Sequence, residues 1–339
     1  MTTPPAAAIS VAGLRKSFGG TVVLDGIDLT VAEGTIFALL GPNGAGKTTI
    51  VRILSTLIGA DGGEIRVAGH NLAEDPDAVR AAIGVTGQFS AVDGLLTGEE
   101  NLRLMADLHH LGRTEGRRRV AGLLDRFDLA EAARKPAATY SGGMRRRLDL
   151  AMSLVGDPRL IFLDEPTTGL DPRGRRTMWQ IIRDLAASGV TILLTTQYLD
   201  EADELAGRIA VLDHGHIVAE GTAQQLKRRI PGGHIRLQFG SPDELESAAR
   251  ALGAVSRDDA ELSLQVPGDG DLRSLRALLD QLDAAAAGTA RVSIHTPDLD
   301  DVFFALTGHP AAPTEATAPA GESLRGPTDH PAAQKETIQ

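Results

Sequence analysis

Three short runs along this chain are apolar almost throughout: Thr35-Ile36-Phe37-Ala38-Leu39-Leu40, Leu160-Ile161-Phe162-Leu163 and Val190 to Thr196. Unbroken runs of this length are the pattern of strands buried on both faces of a sheet. Residues 9–40 alternate instead, with turn signals at Asp25-Gly26 and Glu33-Gly34, and predict an antiparallel β layer leading into the first run. Helical spacing follows that run at Ile50, Ile53, Leu54, Leu57 and Ile58. Residues 64–70 and 83–87 read as short strands, and the pattern turns helical from 95 to 135. There Thr97 with Glu100 forms a capping box, Leu102, Met105, Leu108 and Leu111 follow, and Leu123, Leu124 and Phe127 mark a second helix. Leu205 to Gly221 predicts further strands around Asp213-His214-Gly215, with His214 and His216 as turn residues.

From Thr222 the character changes. Strands are predicted at Arg236–Phe239, Leu262–Val266 and Val292–His295, and helices at Asp243–Leu252 and Leu272–Leu282. An extra short strand near Val255 would complete a β-α-β-β-α-β, ferredoxin-like order. Asp298 to Leu306 predicts a final helix, and from His309 Pro, Ala, Thr and Glu leave little to bury. The expected organisation is a disordered start over 1–8 and an α/β domain over 9–221 with a helical insertion at about 91–156. A small α+β accessory domain over 222–308 and a disordered tail over 309–339 complete it.

Composition narrows the function. A formal net charge of −11 argues against a nucleic-acid partner held by bulk charge. With no cysteine, disulfides, thiolate zinc sites and thiol nucleophiles are excluded together. Met1 to Ala8 lacks the basic and apolar regions of a secretory signal, and no apolar run reaches the roughly 18 residues that a membrane helix needs.

The chemistry concentrates at the ends of the apolar runs. After the first stands Gly41-Pro42-Asn43-Gly44-Ala45-Gly46-Lys47-Thr48-Thr49, which fits the G-x-x-x-x-G-K-[ST] phosphate loop. Small residues let successive backbone N–H groups turn inward around phosphate oxygens. Lys47 adds a point charge for the β and γ phosphates, and the Thr48 hydroxyl can ligate Mg²⁺. The second run ends in Asp164-Glu165, two carboxylates suited to Mg²⁺ and to water activation. The third ends at Gln197, whose side chain is expected in the same crevice. Ser141-Gly142-Gly143 opens a helix, either as an ordinary cap or as a second anion site. The arginines that follow, Arg145-Arg146-Arg147, face solvent or a partner, and spacing does not decide which. Phe18 reads as core filler or as a ring for a purine base, and Gln88 alone reads as surface.

Taken as a set, Gly41–Thr49, Gln88, Ser141–Arg145, Asp164-Glu165 and Asp171 resemble the ATP-binding subunit of ABC transporters, over about Ile9 to Gly221. The resemblance implies a P-loop ATPase core with a mixed sheet, an antiparallel β layer and a helical subdomain. By resemblance Phe18 stacks on adenine, Gly41 to Thr49 hold the phosphates, and Gln88 senses Mg²⁺ and links to the helical subdomain. Ser141, Gly142 and Gly143 close over the γ-phosphate bound by a second copy. Asp164 holds Mg²⁺, Glu165 polarises the attacking water, and Asp171 signals across the dimer. Two departures stand out: Tyr140 and Met144 replace the commonest Leu and Gln, and Gln197 stands where most of the family has His. The runs Thr195–Asp203 and Leu299–Gly308 look like the daunorubicin-resistance branch, which makes Gln197 a feature of that branch. The expectation is therefore the ATPase subunit of a drug or natural-product exporter. It would work as a head-to-tail dimer with Mg²⁺ and ATP, peripheral on the cytoplasmic face of the membrane beside an integral permease. A soluble ATPase of the same superfamily acting on ribosomes or DNA is the alternative. It normally carries paired cassettes or long coiled coils, and neither is present. A catalytically idle ATP-binding module is the other, against which stand Lys47, Asp164 and Glu165. The cargo is not readable, because it would contact another chain.

Overall fold

The computed structural model describes residues 6–88, 90–229, 233–252, 256–267, 272–284, 291–295 and 298–308. The expected tail over 309–339 and most of the expected N-terminal segment lie outside the described residues.

Two sheets build the first part of the chain. Strands β1 (Ala7–Phe18) and β2 (Thr21–Ala32) form a long hairpin, and β3 (Ile36–Leu40) runs into helix α1 (Lys47–Leu54). Strands β4 (Gly62–Val67) and β5 (His70–Asn71) follow, then α2 (Pro76–Ala82) and β6 (Ile83–Thr86). The helical insertion holds α3 (Gly98–Leu108), α4 (Arg113–Arg126) and α5 (Gly142–Ser153). The chain returns through β7 (Leu160–Asp164), α6 (Pro172–Ala187), β8 (Thr191–Thr196), α7 (Leu199–Leu205) and the hairpin β9 (Arg208–Asp213) and β10 (His216–Gly221). The antiparallel sheet has the order β2-β1-β4-β5, and the central mixed sheet the order β10-β9-β3-β8-β7-β6. Strands β6, β7, β8, β3 and β9 are parallel neighbours, so their C-terminal ends open on one edge.

The unbroken apolar runs are explained by two cores. Phe37, Leu39, Phe162 and Leu193 face the antiparallel layer and α1. Ala38, Leu40, Ile161, Leu163, Ile192 and Leu194 face the helical side. Both faces of each strand are therefore buried, and period-two alternation disappears. On α3, Leu102 is fully buried and Met105 partly so, but Leu108 is 63% exposed. Six residues from Leu102 is about 240° around the helix, which takes Leu108 off the apolar stripe. Strand β1 begins at Ala7, inside the segment expected to be disordered, because its backbone is paired there: Ala7 lies opposite Ala32, and the Ala8 carbonyl accepts from Ala68 N at 2.7 Å.

After α8 (Ala223–Lys227) come β11 (His234–Gln238), α9 (Pro242–Leu252), β12 (Ser256–Asp258), β13 (Ser263–Pro267), α10 (Leu272–Ala284) and β14 (Arg291–His295). Their β-α-β-β-α-β order and antiparallel sheet β12-β13-β11-β14 give the ferredoxin-like arrangement. Ile235, Leu237, Phe239, Leu245, Leu264, Leu278 and Leu282 form a core of their own. The last helix, α11 (Leu299–Thr307), does not join that core. Its Leu299, Val302 and Phe303 pack with Leu226 of α8 into the helical-side core of the first domain, where Leu199, Ala202 and Leu205 of α7 also lie. A cut at residue 221 thus divides one core. The physical reason is the i, i+3, i+4 spacing of those three side chains, which gives α11 an apolar face that the first domain covers.

Candidate active site

The phosphate loop turns on backbone that only small residues allow. A Cβ on Gly41 would lie 2.3 Å from the Leu212 carbonyl oxygen, and Gly46 sits at φ 111° with a Cβ position 2.7 Å from Leu24. No side chain caps α1 at Gly46, which leaves its first N–H groups facing the loop, at the positive end of the helix dipole. Lys47 is 4% exposed and folds back over the loop, donating to the carbonyls of Gly41 at 2.8 Å and Pro42 at 3.0 Å. Burial lowers its pKa, while Glu165 and Asp164 pull it back up. Its Nζ stands 3.9 Å from Glu165 Oε1.

The neighbouring strands bring the other predicted groups to the same edge. Strand β8 lies between β3 and β7, and the Thr196 carbonyl accepts from Gly41 N at 3.2 Å. Gln197 therefore leaves β8 beside the phosphate loop on one side and Asp164-Glu165 on the other. Asp164 Oδ1 accepts from Thr48 Oγ1 at 3.2 Å and from Thr195 Oγ1. Glu165 is 9% exposed and adopts φ 49°, a left-handed conformation unusual for a residue with a Cβ. Its N–H is held by the Thr195 carbonyl at 3.1 Å, and its Oε2 accepts from Thr168 Oγ1 at 3.2 Å. Gln88 stands exposed just beyond β6, next to β7 in the sheet.

An Mg²⁺ ion fits the donor set on chemical grounds. The Thr48 hydroxyl and the Asp164 carboxylate are hard oxygen donors 3.2 Å apart. Neighbouring ligands of an octahedral Mg²⁺ shell lie at about 3 Å from one another.

Ser141 caps α5, accepting from Met144 N at 3.2 Å, and Asp171 caps α6, accepting from Gly174 N at 2.8 Å. Both line a cleft of about 490 Å³ together with Gly142, Gly143 and Gly169. No residue of the phosphate loop lines that cleft. The two groups of predicted residues thus stand apart on one chain. Phe18 is 46% exposed at the tip of the β1–β2 hairpin, with Lys16 Nζ 5.3 Å from its ring, which rules out the core-filler reading. Tyr140 is buried and donates to the Ala132 carbonyl at 2.8 Å, so this departure from the common signature serves the helical core.

For several residues around the site the sequence carried no sign of the contacts they make. Thr195 and Thr168 hydrogen-bond the two carboxylates, but nothing in the pairs Thr167-Thr168 and Thr195-Thr196 says which hydroxyl does so. Glu201 is fully buried and accepts from Thr167 Oγ1 at 2.8 Å and Trp179 Nε1 at 3.1 Å. Arg175 pairs with Asp200 at 2.7 Å and stacks over Tyr198 and Trp179, bracing the turn after Gln197. Arg146 points inward to the ends of β6 and β7, while its neighbours bond elsewhere.

A family profile described as ABC transporter matches residues 24–168. The daunorubicin/doxorubicin resistance ATP-binding protein DrrA of Streptomyces peucetius is 48% identical over 316 residues, covering 92% of this chain and 96% of that one. A solved ATP-binding subunit of an ABC transporter superposes with a TM-score of 0.60 at 30% identity, over 66% of this chain and 92% of that chain. A dimeric ATP-binding cassette in a post-hydrolysis state, bound to ADP and Pi, superposes with a TM-score of 0.57 at 25% identity, over 63% of this chain and 98% of that one. With a phosphate loop, paired carboxylates and a Ser-Gly-Gly helix start on this fold, and a relative matched nearly end to end, the chain belongs to the ATP-binding subunits of ABC transporters, in their daunorubicin-resistance branch.

Proposed function

We propose that this ATPase powers the export of a drug or natural product through a separate membrane permease. It does so as a head-to-tail dimer on the cytoplasmic face of the membrane. The observation that carries the reading is the pair of half-sites: Gly41–Thr49 with Asp164-Glu165 at one edge, and Ser141-Gly142-Gly143 with Asp171 at a separate cleft. A second copy turned head to tail brings its Ser141 segment over the γ-phosphate held by Lys47. The cassette dimer among the solved relatives supports this assembly. No described helix is long and apolar enough to cross a membrane, so the crossing falls to a partner chain.

Within each composite site the chain's residues divide the work. The loop N–H groups and Lys47 bind and orient the β and γ phosphates, and Phe18 stacks on the base. Thr48 and Asp164 would hold Mg²⁺, and Gln88 would sense it. When bound, the ion neutralises charge developing on the phosphate oxygens. Glu165 orients a water and takes its proton as that oxygen bonds to the γ-phosphorus and the bond to the bridging oxygen breaks, leaving ADP and phosphate. Gln197 donates its amide hydrogen to the γ-phosphate or the water.

Glu165→Gln tests the assignment. The variant should bind ATP, turn it over very slowly and elute from size exclusion as a dimer only with Mg-ATP. Wild-type turnover by this variant removes Glu165 from the water-activating role.

A further inference from the structure

Helix α5 carries three consecutive arginines whose charges the mechanism above leaves unused. Arg145 donates to the Ala138 carbonyl at 3.1 Å, and Arg147 to the Phe127 carbonyl at 2.8 Å and Asp128 at 3.0 Å. Both contacts stay within the helical subdomain. Arg146 turns the other way, with its side chain 11% exposed. Its Nε donates to the Pro166 carbonyl at 2.9 Å, and its Nη2 to the carbonyls of Asp164 at 3.0 Å and Glu165 at 2.9 Å. Its Nη1 donates to the Gly87 carbonyl at 2.8 Å and lies 3.5 Å from Asp149 Oδ2. A guanidinium has five N–H groups in a rigid plane, and these five contacts match them.

The placement of those contacts is specific. Three carbonyls belong to the peptide units that carry Asp164, Glu165 and the start of the loop toward Asp171. The fourth, Gly87, immediately precedes Gln88. Asp149, one helical turn on and 4% exposed, accepts from Ala91 N at 3.0 Å, beyond Gln88. Arg146 and Asp149 thus bracket the Gln88 segment and grip the carboxylate strand from the same helix that Ser141 caps. Burial works against both charges, lowering the Arg146 pKa and raising that of Asp149; Asp149 opposes the first shift, and the Ala91 N–H and then Arg146 oppose the second.

We infer that Arg146 is a positioning residue that couples the Gln88 segment to the Glu165 backbone. A displacement of α5 or of the Gln88 segment moves Glu165 through one planar group, with Asp149 keeping that plane in register. The inference rests on the proposed roles of Gln88 and Glu165. The coupling itself is readable without nucleotide.

The test uses the full chain with Arg146→Lys and Arg146→Gln. In the nucleotide-free protein, amide hydrogen exchange should rise together in peptides spanning Gln88 and Thr167, by about tenfold or more, since buried backbone partners are lost at both. ATP turnover should fall by about 10–100-fold with KM within about threefold, the cost of a misplaced catalytic group. Lysine should not rescue, because an ammonium cannot fork to four carbonyls. Asp149→Asn, a milder change, should loosen the same two peptides to a lesser degree and combine non-additively with Arg146→Lys. Full turnover in Arg146→Lys, or loosening confined to one loop, overturns the coupling. A lowered melting temperature with both loops and turnover unchanged reduces Arg146 to a brace and also overturns it. A wild-type chain without ATPase activity would sink the proposed function, while the exchange measurement still decides this one.

Discussion

At the scale of single residues, Gln197 is the informative substitution. An amide can donate a hydrogen bond at the end of β8 but cannot carry a proton charge there. Gln197→Ala should lower turnover by about 10²–10³, the loss expected from one preorganised donor, with ATP affinity nearly unchanged because the loop dominates ground-state binding. Gln197→His should retain part of the activity. Steady-state ATPase rates beside nucleotide affinities decide the matter, and near wild-type turnover in the Ala variant leaves Gln197 a spectator. Glu201, behind that turn, makes a pH prediction. Burial pushes its carboxyl above the ordinary range, against the pull of Thr167, Trp179 and Arg175. The folded state then holds this proton more tightly than the unfolded state. Its contribution to stability is full below the ordinary carboxylate pKa and is lost as pH rises through the folded value. Glu201→Gln keeps an acceptor for Thr167 and Trp179 and should remove that loss. Urea unfolding of both proteins between about pH 4.5 and 8 tests it, and parallel profiles would refute the buried-proton account.

At the scale of elements, α11 shows how a local reading misleads. Its capping box at Asp298 and Asp301 and its short apolar stripe make it legible as a helix. Nothing local says that it belongs with α7 and α8, across a whole intervening sheet. Phe303 is 4% exposed in the helical-side core, so Phe303→Ala should cost about 3–5 kcal/mol of stability in the ATPase core. Phe304, one residue on and 58% exposed, should tolerate the same change. Thermal melts of the two variants distinguish this packing from a loosely attached terminal helix, for which both would melt like the parent. His214-Gly215, with both φ positive, closes the β9–β10 hairpin as a tight two-residue turn, as its residue types indicate. His216, also expected in the turn, is instead the first residue of β10 and pairs with Asp213, because two residues suffice to reverse the chain.

At the scale of the whole molecule, the proposed composite site needs a second copy, and no described helix is long and apolar enough to cross a membrane. Expressed by itself the chain should fractionate largely as soluble protein and confer no drug export. With its permease it should move to the membrane fraction. Resistance in a host without such a permease would contradict the exporter reading. Removing residues 309–339 should leave turnover and export nearly unchanged, since Pro, Ala, Thr and Glu supply few side chains to pack. Truncation at 221 should instead lower the melting temperature of what remains, because Leu226, Leu299, Val302 and Phe303 leave the core with it.

The sequence by itself determined the features that local chemistry dictates. The phosphate loop needs Gly41 and Gly46 where a Cβ would strike backbone or core, and Lys47-Thr48 must follow at the helix start. Asp164-Glu165 had to end a buried strand because the preceding residues tolerate nothing else. Periodicity also marked three strands and both helices of the C-terminal unit; the short strand expected near Val255, a position outside the described residues, falls at Ser256–Asp258, which is wholly exposed and carries no apolar pattern. Tertiary structure decided whatever depends on two distant segments meeting. Arg145, Arg146 and Arg147 are equivalent in sequence, and only the approach of β6 and β7 to α5 directs Arg146 at five acceptors. The neighbours of Glu201 and the docking of α11 have the same origin. Side-chain direction around a helix is set by 3.6-residue geometry, but what waits in that direction is set by the path of the chain.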